Sequence, residues 1–196
     1  MKVAVEKSDE FIRYKPNIKK IIEVMLYITR KLSSVDRYKL VKLIYLADVK
    51  HLNEYWRPIT YDSMIAMKNG PVPSATYNIL KRDKRFTSYN IDYDDLPFDF
   101  INLGKHDGVG NPKREVNTKI FSKSDLEVLD CIIDEYKDAS FQDLYDLTHK
   151  HIGYKRAWES RGDNKGNPIR YEDLVEESWF KADLVDNMRA TCRHVF

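Results

Sequence analysis

Few residues in this chain have both the type and the spacing for chemistry. In "YLADVKHLNEYW", Asp48 and His51 stand three positions apart. A carboxylate that orients an imidazole is half of a general-base pair. No Ser, Cys or second carboxylate nearby completes a nucleophilic triad. His149 and His151 form a His-x-His pair. On a strand such a pair can share a metal; on a helix its members point apart. No Cys or carboxylate cluster is spaced to finish a zinc site. There is no HExxH, Walker loop, dinucleotide fingerprint or CxxC. What remains open is a small-ligand or enzyme site built on Asp48, His51 and His149. The competing reading makes each a satisfied polar group in a packed scaffold. That second reading carries more weight, so no catalysis, cofactor or metal is expected.

The element that must position Asp48 is the segment "DRYKLVKLIYLADVKHLNEYW". Wound at about 100° per residue, it gathers Lys39, Lys42, Lys50, Asn53 and Glu54 on one polar stripe. Leu40, Val41, Ile44, Tyr45, Leu52 and Tyr55 spread over the rest. Asp48 falls nearly opposite the stripe, and His51 also lies off it. A buried carboxylate needs a partner. His51, a hydroxyl, or a backbone N–H from the following turn can supply it.

The stretch "AMKNGPVPSATYNILKRDKR" reads as a strand, a sharp turn and a helix start. Gly70 tolerates positive φ, Pro71 restricts it, and Pro73 suits a first helical turn. A phosphate loop is the rival reading, but two prolines remove donors where they would be needed. The helix, expected from about Pro73 to Asp83, ends in a basic patch of Lys81, Arg82, Lys84 and Arg85. Further on, "NIDYDDLPFDF" interleaves Asp92, Asp94, Asp95 and Asp99 with Tyr93, Leu96, Phe98 and Phe100. It is either a partner-binding edge or a loop pinned by its aromatics with its aspartates in water.

The rest of the chain supports one domain. Residues 1–16 read as an N-terminal arm and residues 17–196 as a single domain. Asn17 is placed to cap a first helix and Asp36 a second. "ITYDSMIAMK" leans to short strands, and residues 87–119 suit a small sheet with loops. Ser122 or Ser124, the latter with Glu127 as a capping box, opens "SKSDLEVLDCIIDEYK". Ser140 caps "SFQDLYDLTHKH", and "YEDLVEESWFKADLVDNMRATC" closes the chain as one or two helices. The fold class expected is mainly α (α+β): a compact helical domain with a small β-sheet of short strands.

Composition narrows the function. Of 196 residues, 42% are hydrophobic and 33% charged, which suffices for a core. A formal net charge of +2 gives no reason to expect nucleic acid or an anionic membrane as partner. No apolar run approaches the roughly 18 residues of a membrane span, and the start lacks a signal-like apolar stretch. Cys131, inside an apolar helical pattern, and Cys192 are expected as reduced thiols, the former buried, in a cytoplasmic protein.

The distributed motifs also resemble a known family. Lys42-Leu43, Tyr45-Leu46-Ala47-Asp48, Gly70-Pro71-Val72 with Tyr77 behind it, and Thr148-His149 ahead of Trp158 resemble the SocA-like antitoxin family, also called Panacea. The family was formerly a domain of unknown function and is known as phage-associated protein. "PIRYEDLVEES", with Tyr171, Leu174 and Glu177, is similar to its closing segment. The resemblance runs over about residues 17–180, without a separate DNA-binding helix-turn-helix. It implies an antitoxin of a toxin–antitoxin pair that neutralises a cognate protein toxin by direct binding. Toxins of the small alarmone synthetase fold are among the family's partners, and one member is thought to present its toxin to a protease. On this view Lys42, Tyr45, Asp48, His51, Gly70, Pro71, Val72, Tyr77, His149 and Trp158 are scaffold. Exposed loops choose the toxin: Lys81, Arg82, Lys84 and Arg85 on one side, and Asp92, Tyr93, Asp94, Asp95 and Phe98 on the other.

Overall fold

The computed structural model describes residues 11–82, 91–104 and 106–192. Helix α1 spans Ile18–Leu32 and is capped by the Asn17 side chain, which accepts from Lys20 N–H. Strand β1, Ser34–Asp36, leads into α2, Arg37–Tyr55, where Asp36 accepts from Lys39 N–H. Both caps follow the rule that a short polar side chain satisfies an otherwise unpaired first-turn donor. A hairpin of β2, Met64–Met67, and β3, Gly70–Pro73, precedes the short α3, Ser74–Leu80. Strands β4, Asp99–Asn102, and β5, Asp107–Gly110, follow. The second half carries α4, Lys123–Tyr136, α5, Phe141–His149, and α6, Ile152–Glu159. Strand β6, Gly166–Pro168, and α7, Lys181–Cys192, complete the described chain.

The strands form two antiparallel sheets, ordered β1-β5-β4 and β3-β2-β6. The mainly helical α+β class read from sequence is the class observed. Single strands this short are marginal by themselves. Here both sheets border α2, which packs against α1, α3, α4 and α5 as well as β1, β3 and β5. Residues 40–49 of α2 are buried without interruption. Nothing in α2 therefore forms a solvated stripe along its length. Lys42, placed on the polar stripe by periodicity, is 1% exposed. Periodicity treats a helix as one-sided, whereas a central helix is covered all round.

The Gly-Pro-Val-Pro segment also departs from expectation. All four residues form β3, paired from Met64↔Pro73 to Met67↔Gly70, and the turn falls at Lys68-Asn69. Two prolines survive in a strand because β3 is an edge strand, where a missing N–H removes no ladder bond. Ser122, with Asp125 in place of Glu127, makes the capping box of α4. Ser140 caps α5 as expected, in a second box with Asp143. The small sheet expected within residues 87–119 is present as β4 and β5, and residues 118–120 form a 3-10 turn. Cys131 is exposed, contrary to expectation, because the buried face of α4 is Val128, Leu129, Ile132 and Ile133. At the other end, Ile12 and Tyr14 are buried, and Tyr14 packs edge-on against Tyr61 and Tyr171.

Candidate functional site

Three polar clusters lie inside the helical body, and α2 contributes to each. The first two hold the loop between α2 and β2. Asp48 is 2% exposed and accepts Ile59 N–H and Thr60 N–H, both at 2.8 Å, together with the Thr60 hydroxyl. Asp62 repeats the device one turn of chain later. It accepts Ala75 N–H and Thr76 N–H at 2.8 Å and the Thr76 hydroxyl at 2.9 Å. Those are first-turn donors of α3, whose own N-cap, Pro73, has no side-chain bond to offer. The Tyr171 hydroxyl donates to the Asp62 carbonyl at 2.6 Å, tying the closing segment to the same loop. Burial raises both carboxyls, Asp48 to about 7 and Asp62 to about 6, against the opposing pull of these hydrogen bonds.

The second cluster centres on Asp125, which is fully buried. Lys20 Nζ lies 2.6 Å from it, an Arg57 guanidinium nitrogen 3.0 Å and His51 Nε2 3.2 Å. Burial raises the Asp125 carboxyl, but the Lys20 contact, the Ser122 N–H and the charges of Lys20 and Arg57 outweigh it and hold it low. His51 is pushed down, chiefly by burial. Its Nδ1 donates to the Arg57 carbonyl at 2.6 Å, so the neutral ring's Nε2 accepts from the Ser124 hydroxyl at 3.0 Å. Lys20 and Arg57 are the cations that balance Asp125, and His51 stays neutral.

The third cluster sits under the hairpin. An antiparallel edge strand turns alternate carbonyls outward. Pro71 is such a residue, and Lys42 Nζ donates to its carbonyl at 2.7 Å. Gly70, at φ +96, completes the fit: a Cβ there would stand 2.7 Å from Lys42 Nζ and 3.0 Å from Thr148 Oγ1. Burial lowers the Lys42 ammonium from 10.5 to about 7. An amine whose folded pKa is depressed destabilises most below that pKa, and the penalty fades as pH rises toward 10.5. Urea titrations should therefore show wild type gaining stability on Lys42→Met between pH 7 and 10, in line with those values. A constant difference across that interval would refute the assignment.

The residues considered for catalysis do not converge. Asp48 turns to residues 59 and 60, and His51 to Arg57, Ser124 and Asp125. His149 Nδ1 meets the Tyr145 carbonyl at 2.7 Å and its Nε2 faces the Lys68 carbonyl at 3.3 Å. Its ring stacks on Tyr145 at 3.6 Å and meets Tyr154 edge-on at 4.4 Å. Tyr154 in turn stacks with Trp158, over which Arg161 lies at 3.7 Å. The His–Trp spacing thus encodes an aromatic ladder along α5 and α6. His151 parts from His149 and bonds the Tyr45 hydroxyl at 3.0 Å. Among the described residues, no group of His, Cys, Asp and Glu is disposed to hold a metal.

The surface candidates divide. Lys81 and Arg82 are exposed, with Lys81 Nζ 5.3 Å from the half-buried Tyr77 ring and Arg82 4.3 Å from the Phe100 ring; Lys84 and Arg85 lie outside the described residues. Asp92, Asp94 and Asp95 are exposed, while Tyr93 is half-buried. Phe98 is only 1% exposed. It anchors the loop in the core and is not a surface contact. Sequence reasoning missed Asp62, which lies in a loop where no periodicity marks it. It also missed Trp179, which is 91% exposed beside Phe180, itself stacked on Trp56. The sequence placed "ESWF" inside a closing helical segment, whereas the last helix begins only at Lys181, which leaves the aromatic doublet in a turn.

Residues 40–158 match the family model described as Antitoxin SocA-like, Panacea domain. No curated protein and no solved structure matches the chain. The matched span holds most of α2, the β2–β3 hairpin, α4 and the α5–α6 ladder, and with them Asp48, Asp62, Asp125 and Lys42 of the three clusters, while Lys20 lies outside it.

Proposed function

This chain belongs to the SocA-like, Panacea-domain antitoxin family, and from that premise we propose that it binds a cognate protein toxin directly and silences it by occlusion. The family match across the helical body is the observation that carries the reading. The interior supports it, because Asp48, His51 and His149 are each committed to other residues of the scaffold. Such a body presents a surface and performs no reaction. No described helix is long and apolar enough to cross a membrane. Toxins of the small alarmone synthetase fold remain the first class to try.

Two exposed features are the surfaces we assign to toxin contact. One is the acidic run Asp92, Asp94 and Asp95. The other is Trp179, since a large exposed aromatic is the side chain most enriched among binding hot spots. The test is co-expression with the toxin-like reading frame beside this one in its native genome. This chain should rescue growth and co-purify with that protein in fixed stoichiometry. Asp94→Lys combined with Asp95→Lys, or Trp179→Ala, should weaken the complex by about tenfold or more while leaving the melting temperature unchanged. Unchanged affinity removes the surface concerned. Rescue with rapid loss of the toxin and no stable complex would instead mark a protease adaptor.

A further inference from the structure

An open cleft of about 640 Å³ lies where the start of α2, the β2–β3 hairpin and the start of α5 meet. Its polar groups are incompletely used. Lys42 is 1% exposed, and among the described residues its only hydrogen bond is to the Pro71 carbonyl. An ammonium has three donors, and one neutral acceptor compensates a buried charge poorly. The Tyr38 hydroxyl is fully buried and, among the described residues, has no hydrogen-bond partner. The Tyr38 ring lies 5.1 Å from Lys42 Nζ and 4.2 Å from the ring of Phe141, which is 50% exposed. An unpartnered hydroxyl and an underused ammonium in the wall of one cleft are rare enough in a packed protein to require an explanation.

The surroundings favour an anion. Arg37, Lys39, Lys42 and Lys68 line the cleft against Asp36 and Asp107. Asp36 is occupied in capping α2, and Asp107 faces Arg37 at 3.9 Å. The first turns of α2 and α5, capped by Asp36 and by the Ser140–Asp143 box, border the space. The remaining wall, including Val41, Met67, Val72 and Leu144, is apolar. A phosphoryl group asks for several backbone N–H donors or an arginine fork. Pro71 and Pro73 remove such donors from β3. One ammonium and one phenol instead suit a singly charged, planar group flanked by apolar atoms.

We propose that this cleft receives a carboxylate of the partner toxin, an Asp or Glu side chain set between apolar residues, with Lys42 and Tyr38 as its donors. The inference rests on the antitoxin reading for its partner and on the cleft alone for its chemistry. The direct test follows the Lys42 side-chain NMR signals of the full chain during titration with acetyl-Leu-Glu-Leu-amide. The Gln counterpart and inorganic phosphate serve as the other probes. A saturable shift with the Glu peptide is expected, weakened about tenfold or more for the Gln peptide and for Tyr38→Phe. Equal response to Glu and Gln, no saturable shift, or tighter binding of phosphate would overturn the carboxylate assignment.

Because Lys42→Met can unsettle the fold, Arg37→Glu with Lys68→Glu, at the half-buried and exposed rim positions of the cleft, provides the cellular arm. These changes should weaken the toxin complex by about tenfold. Full rescue and unchanged toxin affinity in both the rim variant and Tyr38→Phe would sink the cleft and leave the antitoxin reading standing. Peptide binding without any toxin rescue would do the reverse.

Discussion

Replacing Asp125 by alanine lowers the free energy of unfolding by about 3–5 kcal/mol, the range for removing one member of a buried ion pair. The side chain of Asp125 is 0% exposed and that of Lys20 only 8%. Without the carboxylate, Lys20 is left as a buried cation facing Arg57 across an empty site. The α4 capping box disappears too, leaving the Ser122 N–H without its acceptor at 2.8 Å. Asp125→Asn keeps the shape and one acceptor but not the charge, so it falls between the two. The folded carboxyl is held below its ordinary value of 3.8. Its contribution is therefore present above that pH and is lost as pH falls through the folded value. Urea titration at neutral pH and near pH 3 checks both points. A loss below about 1 kcal/mol at neutral pH, the level of an exposed pair, would mean that the cluster is solvated.

Asp48→Ala has the second largest effect, about 2–4 kcal/mol. It strands the Ile59 and Thr60 N–H groups and leaves a cavity in the interior. Asp48→Asn separates charge from geometry. Its carbonyl can accept both N–H groups, and its amide can donate to the Thr60 hydroxyl. The wild-type carboxyl is raised from 3.8 to about 7, so its stabilising contribution is complete below about pH 4 and is lost as pH rises toward 7. The asparagine does not titrate. Wild type should therefore lose stability relative to Asp48→Asn between pH 4 and 7, read as a shift in urea midpoint. An opposite slope would show a carboxylate ionised throughout and held by its three donors.

These two carboxylates also mark how far the chain could be read before its structure was known. Helix starts were legible because capping is local: Asn17, Asp36 and Ser140 each act within three residues of themselves. The need of Asp48 for a hydroxyl or backbone partner was legible from its position among apolar residues. His51 was the wrong partner to consider, since its ring is taken by the Arg57 carbonyl and the Ser124 hydroxyl, the latter 73 positions away along the chain. Lys42 was misread for the same reason. Its place on a polar stripe is correct as periodicity, but the stripe there is covered by a hairpin whose outward carbonyl accepts a hydrogen bond from it. Phe98 was offered to a partner because it alternates with aspartates, whereas the loop turns it inward.

By itself, then, the sequence determined what neighbouring residues decide among themselves. It set the helices, their caps, the mainly helical class and the ordered motifs that identify the family. The tertiary structure alone decided which charges are buried and with what they pair. It brought Lys20, His51 and Arg57 to Asp125, set Lys42 against Pro71, and left Trp179 in the open. The reason is physical. Capping and periodicity operate over one or two helical turns, while the desolvation of a charge depends on every element packed around it, however distant in the chain.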